Sequence, residues 1–257
     1  MMKNRIFALA GLALMSFATA CDKNGVQDIT ADAPSARVRF FNFGVNAPSV
    51  NFYANDQKMS AIVSSTGAES TNGIAYGSVS SSGNYNGIAP GTYTLTGKIS
   101  AATDKDLAIS PLSVQIADGK WYSYYMSGFY NTATKTVESF VVEDNLPAQD
   151  YSVAYVRFVN AISNSSPMVL SAKNQTTGNV VPIGSAVAYK NAGTFVAIPP
   201  GLTDLFARVP GAATDAITRT SVSFAQGRIY TISARGDMTV VSTTATNRPF
   251  LDNTANY

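Results

Sequence analysis

The chain contains one long pattern written twice, and no other feature constrains its fold as strongly. Val38-Arg39-Phe40-Phe41-Asn42 returns as Val156-Arg157-Phe158-Val159-Asn160, 118 residues later. Pro48 finds a counterpart in Pro167, and Ile88-Ala89-Pro90-Gly91-Thr92 returns as Ile198-Pro199-Pro200-Gly201-Leu202. Ala117-Asp118-Gly119-Lys120-Trp121-Tyr122 returns as Ala225-Gln226-Gly227-Arg228-Ile229-Tyr230, and Ser127-Gly128 as Arg235-Gly236. The offset falls from 118 to 110 to 108, which places deletions in the second copy, chiefly in loops. Four blocks returning in one order mean two copies of one folding unit. The first copy spans residues 36–144 and the second 154–243. Residues 145–153 form a linker, with Pro147 helping to end the preceding strand, and 244–257 are left as a C-terminal tail.

Each copy reads as β-structure throughout. The blocks alternate with period two and are rich in β-branched and aromatic residues. In the first strand Val38, Phe40 and Asn42 share a face and Arg39 points the other way. Val156, Phe158 and Asn160 keep that phase, with Arg157 outward. A one-residue slip would exchange the faces, so matching phase argues for a shared register. Thr92, Thr94 and Thr96 alternate with Tyr93 and Leu95, as on a half-buried strand. Pro-Gly, Asp-Gly and Gln-Gly ahead of the later blocks are turn chemistry. Short strands with regular turns, about 100 residues per copy, predict an all-β protein of two tandem antiparallel β-sandwiches.

The repeated pattern is a Val-Arg-Phe-x-Asn strand, a proline, Pro-Gly-Thr-Tyr, then x-Gly-Lys-x-Tyr with a glycine six residues on. It resembles the domain-of-unknown-function 4397 (DUF4397) family over most of 36–243. The first copy carries Ala89-Pro90-Gly91-Thr92-Tyr93 and Gly119-Lys120-Trp121-Tyr122, whereas the second departs at Leu202-Thr203. The resemblance implies extracytoplasmic, immunoglobulin-like β-sandwiches of the kind often found in Bacteroidota-type lipoproteins. The matched residues are turn and core residues, so it implies a fold and a compartment but no activity.

The N-terminus points to the same compartment. Lys3 and Arg5 precede an apolar run from Ile6 to Phe17, and Ala18-Thr19-Ala20 supplies small residues before Cys21, the only cysteine. Roughly 12 apolar residues are too few to span a bilayer. Leucine is more usual than Ala18 three before a lipidated cysteine, and Ala18-Thr19-Ala20 also fits an ordinary secretory site that would release a soluble protein. That alternative leaves an odd free thiol on an exported protein. Lipidation of Cys21 is therefore preferred, with 1–20 a cleaved lipoprotein signal peptide and 21–35 a polar tether. Asp22 is an inner-membrane retention signal in some bacteria, but the family resemblance favours the outer membrane.

Composition removes most chemistry. The chain has no histidine, which excludes Ser-His-Asp and Cys-His catalysis and imidazole-ligated metal sites. With Cys21 acylated no thiol remains, and no cofactor is expected. Removing 1–20 takes away two bases and no acid, leaving sixteen of each. That balance argues against nucleic acid. Hydrophobic residues make up 46% of the chain, enough for a real core.

The candidate sites are few. Trp121 and Tyr125 lie on the strand face opposite Tyr122, Tyr124 and Met126 and form an aromatic pair only in the first copy. They are candidate ligand-binding residues, a stacking platform for a sugar or peptide; packing against the other domain, a loop or a second core layer is the favoured alternative. Asp104 and Asp106 could open a calcium loop, but no full ligand spacing follows. Glu143-Asp144 is expected to be a solvated strand end, and Arg39 and Arg157 to be outward charges that protect solubility. The Ser/Thr/Gly-rich stretch 60–87 reads as a mobile insertion or a binding loop. The expected function is a non-enzymatic, membrane-anchored envelope lipoprotein whose sandwiches serve interaction or scaffolding, with a glycan or envelope protein as partner. Glycan or peptide binding through exposed aromatics is the alternative, and a carboxylate-pair enzyme the least favoured reading.

Overall fold

The computed structural model describes residues 34–60 and 72–256. Cys21 and the signal peptide lie outside these residues, as do all but the last two residues of the tether and positions 61–71. Among the described residues the only helical segment is a 3-10 turn at Ser80–Gly83.

The first repeat contains β1 (Ala36–Val45), β2 (Val50–Ala54), β3 (Gln57–Lys58), β4 (Ser78–Val79), β5 (Asn86–Ile88), β6 (Gly91–Ile99), β7 (Leu112–Ile116), β8 (Trp121–Asn131) and β9 (Thr136–Glu143). The second contains β10 (Ala154–Asn160), β11 (Met168–Asn174), β12 (Val180–Val187), β13 (Asn191–Ala192), β14 (Val196–Ile198), β15 (Gly201–Arg208), β16 (Ile217–Phe224), β17 (Ile229–Arg235) and β18 (Phe250–Ala255). Each repeat is a two-sheet sandwich. The outer sheets run β3-β2-β6-β7 and β12-β11-β15-β16; the inner sheets run β4-β1-β8-β9 and β13-β10-β17-β18, with β5 on β1 and β14 on β10.

The pairing is antiparallel except at one place in each repeat. β1 pairs parallel with β8, from Arg37 opposite Trp121 to Val45 opposite Phe129, and β10 pairs parallel with β17 in the equivalent register. A parallel neighbour needs a long connection, and the outer-sheet strands β2, β6 and β7 supply it. The all-β reading holds, as do the two sandwiches, with this parallel pair added to each.

The alternation predicted for the first strands sets the cores. Val38 and Phe40 pack against Phe52, Leu95, Tyr124 and Met126 between the sheets of the first repeat. Phe40 stacks on Phe52 at 5.1 Å between ring centroids, and the Tyr124 hydroxyl donates to Ser110 Oγ at 2.8 Å. Val156, Phe158, Ile232 and Ala234 occupy the same places in the second repeat, against Leu170, Leu205 and Phe224.

The C-terminus departs from expectation. Residues 250–255 are no tail but the edge strand β18, antiparallel to β17, with Leu251 fully buried in the second core. Only Leu251 is a large apolar residue on the core side of Phe-Leu-Asp-Asn-Thr-Ala, so the period-two signal is faint.

Candidate functional site at the seam between the repeats

The strand face opposite each core is also buried. Phe41 and Phe43 on β1, Tyr125 on β8 and Phe140 on β9 pack with Val159 and with Ala161, which follows β10, in a third apolar cluster between the inner sheets. Tyr125 lies between Phe41 and Phe140, at centroid distances of 4.4 and 4.9 Å with the rings nearly parallel. Its hydroxyl meets Ser233 Oγ of the second repeat at 3.3 Å, and burial pushes its pKa up. Tyr125 is 0% exposed and offers no face to a ligand. Trp121 is half-buried, edge-on to Tyr85 at 4.7 Å. The pair expected as a stacking platform is thus divided, and Tyr125 belongs to the packing between domains.

The two arginines overturn a second expectation. Arg39 and Arg157 point away from their cores, as the alternation requires, yet they are 0% and 2% exposed because the other repeat covers them. Their surroundings repeat. Arg39 Nε donates to Ser123 Oγ at 3.0 Å, and Arg157 Nε to Thr231 Oγ1 at 3.0 Å. The Arg39 guanidinium lies 4.4 Å from the Tyr85 ring centroid, and that of Arg157 lies 4.8 Å from Phe195. Each reaches across the seam to a strand-end carbonyl: Arg39 Nη1 donates to Ala255 O at 3.2 Å, and Arg157 Nη1 to Glu143 O at 3.4 Å. The seam therefore has the pattern of a two-fold interface, in which the same patch serves both sides.

One position breaks the symmetry. The backbone N–H of Asp144 donates to Trp121 O at 2.6 Å, and that of Asn256 to Ile229 O at 2.7 Å, so the two residues are equivalent. Asp144 is an acid, 3% exposed, and pairs with Arg157 Nη2. Ser123 Oγ and the Tyr85 hydroxyl both donate to Asp144 Oδ2, at 2.7 and 2.6 Å. Asn256 instead accepts from Thr231 Oγ1 at 2.8 Å and donates to the Tyr85 hydroxyl at 3.2 Å. Arg39 Nη2 is left buried without a hydrogen-bond partner. Two buried guanidiniums are thus matched by one carboxylate, which pairs with Arg157. Burial and the adjacent Asp144 charge hold the Tyr85 phenol well above its usual range. Asp144 is no solvated strand end; with Tyr85 and Asn256 it completes a network missed in the sequence. Only the recurrence of Arg39 and Arg157 at matched positions signalled it.

The remaining candidates are peripheral. Asp104 is paired with Lys135 at 2.5 Å, and no group of three potential metal ligands occurs among the described residues. Ser80, inside the 60–87 stretch, is buried with its Oγ accepting from Phe40 N–H at 3.2 Å. A shallow groove of about 450 Å³ crosses the outer sheet of the second repeat, past Val169, Val180, Phe206 and the Arg208–Asp215 pair. Two smaller grooves of about 330 and 340 Å³ flank the seam at equivalent places, one beside β9 and β13, the other beside β18 and β4.

The family model described as Domain of unknown function (DUF4397) matches residues 36–171, more than half of the chain. The chain belongs to the DUF4397 family. The match runs through the first repeat, across the Asp144–Arg157 pair, and into β11. No curated protein matches. Among solved structures, the C-terminal domain of AlgF from P. aeruginosa is similar at 15% identity over 41% of this chain and 99% of that one, with a TM-score of 0.29. Among the described residues no helix is long and apolar enough to cross a membrane.

Proposed function

We propose that this protein is a non-enzymatic lipoprotein of the cell envelope, anchored through Cys21 in the outer membrane, whose paired sandwiches act as one rigid interaction or scaffold module. The observation that carries this reading is the seam. The most distinctive polar side chains of both repeats, Arg39, Arg157, Asp144, Ser123 and Thr231, are buried against one another there. Side chains so placed fix the relation of two domains and are closed to substrate. A rigid pair presents its outer sheets, grooves and loops in constant geometry, which suits a binding module. The N-terminal sequence around Cys21 supports the anchor.

The test is cross-linking in the intact envelope followed by recovery of the protein, beside a Cys21→Ala variant fed a labelled fatty acid. Acylation of the wild type alone, with a reproducible cross-linked partner, is the expected result. No label on Cys21, or no partner together with an unchanged envelope on deletion, would reject the reading.

A further inference from the structure

A basic cluster beside the last strand borders the seam but is separate from the Arg39–Asp144–Arg157 network. β16, β17 and the approach to β18 bring Arg219, Arg235 and Arg248 around one ring, with guanidinium carbons 5.2, 5.2 and 5.1 Å from the Phe250 centroid. Any two are therefore no more than about 10 Å apart. An aromatic face attracts a guanidinium, but it neutralises no charge. Asp252 pairs with Arg235 alone, accepting from its Nε; its field also reaches Arg219 and Arg248. The nearby Asp237 keeps its charge and accepts from Thr239 and Asn164.

Arg235 is fixed. It stacks on Tyr76 at 5.1 Å and lies against Gly77, where a Cβ would come within 2.9 Å of its guanidinium carbon. Arg219 and Arg248 are less committed. Each uses one nitrogen on a backbone carbonyl, Arg219 Nη1 on Leu251 O at 2.6 Å and Arg248 Nη1 on Ala245 O at 2.9 Å. Neither has an ion-pair partner among the described residues, and both are half-buried at the surface.

Arg219 and Arg248 thus present two guanidiniums that no carboxylate pairs with among the described residues. A phosphomonoester carries about −1.5 to −2 at neutral pH and offers three acceptor oxygens. Guanidinium forks donate to such a group in pairs. A carboxylate would answer only half of the charge. We propose that Arg219 and Arg248, set over Phe250 and backed by Arg235, form a binding site for a phosphate-class anion. The group is either diffusible or borne on a lipid headgroup. The site does not depend on the scaffold reading or on acylation of Cys21.

The experiment is calorimetric titration of the full chain with sodium phosphate, against sodium chloride at matched ionic strength. A parallel arm measures co-sedimentation with vesicles of phosphatidylcholine alone or doped with phosphatidic acid. Saturable phosphate binding, weakened at least tenfold in the Arg219→Gln/Arg248→Gln double variant and unchanged in Arg208→Gln, is the expected result. Should the double variant melt early, Arg248→Gln alone, whose position precedes β18, is expected to weaken binding severalfold. Arg219- and Arg248-dependent capture of doped vesicles without free-phosphate binding would assign the headgroup as the source. Binding in neither arm, or equal binding by the double variant, would overturn the site.

Discussion

Asp144, at the end of the first repeat, and Arg157, in the first strand of the second, form an ion pair with both side chains at most 2% exposed. The pair sits where the chain leaves one sandwich and enters the other, and the strongest polar contact across the seam is thus also its closest in sequence. Removing one member of a buried pair strands the other in a poorly solvating site, at a cost of about 3–5 kcal/mol. That is a large share of a domain stability of roughly 5–15 kcal/mol. Asp144→Asn is expected to destabilise by that amount in urea unfolding. It leaves Arg39 and Arg157 facing each other's repeats with no acid between them. A loss under about 1 kcal/mol would mean that the carbonyls of Glu143 and Ala255 and the rings of Phe195 and Tyr85 suffice.

Tyr125 holds the apolar half of the seam. Truncating a fully buried aromatic costs about 3–5 kcal/mol through lost transfer energy and the cavity left behind. The cavity in Tyr125→Ala would open between Phe41 and Phe140, outside both sandwich cores. The variant should therefore loosen the union of the repeats more than either repeat. Calorimetry is expected to show one transition for the wild type and two for Tyr125→Ala. A single, merely lowered transition would show that the remaining contacts still couple the sandwiches.

Alkaline pH should unfold the protein cooperatively. Burial raises the phenols of Tyr76, Tyr85, Tyr124, Tyr125 and Tyr189, that of Tyr124 to about 12. A group whose folded pKa exceeds its unfolded value, about 10 for tyrosine, stabilises the fold fully below that value. The contribution is then lost as pH rises toward the folded pKa. Stability is expected to fall steeply above about pH 10, with phenolate absorbance from these residues emerging together with loss of structure. Stepwise phenolate formation in a folded chain would contradict their burial.

The sequence disclosed the strands, their phase and the repeat, because period-two alternation is local and was written twice. Alternation places Arg39 and Arg157 on the correct face, but that face meets the other repeat and not solvent. A single strand cannot tell a face turned to water from one turned to a second sheet. The volume asymmetry was a usable hint: Phe41, Tyr125 and Phe140 in the first repeat stand opposite Val159, Ser233 and Asp252 at the equivalent places in the second. β18 escaped because its core side holds Leu251 and Asn253, and one leucine makes no period. A chain ending at residue 243 would lose that strand and expose the edge of β17. It is expected to aggregate, whereas Leu251→Ala should fold with a loss of about 2–5 kcal/mol.

The equivalence of Asp144 and Asn256 gives the sharpest test of the seam. Arg39 Nη2 has no partner, and Asn256 occupies the place from which a second carboxylate would serve it. Asn256→Asp gives up the donor that Asn256 Nδ2 provides to the Tyr85 hydroxyl, worth about 1 kcal/mol. It gains a charge-assisted bond to Arg39, worth about 1.5–3 kcal/mol, and balances two guanidiniums with two acids. Net stabilisation of about 1 kcal/mol at pH 7 is expected on that difference. An arginine beside the new carboxylate depresses its folded pKa below the unfolded value of about 3.9. The gain should therefore be complete above that pH and vanish as acid protonates the folded group. Urea unfolding of both proteins between pH 3 and pH 7 measures it. Destabilisation across that whole range would show that the carbonyl of Ala255 and the ring of Tyr85 already satisfy Arg39, and that one acid is what the seam requires.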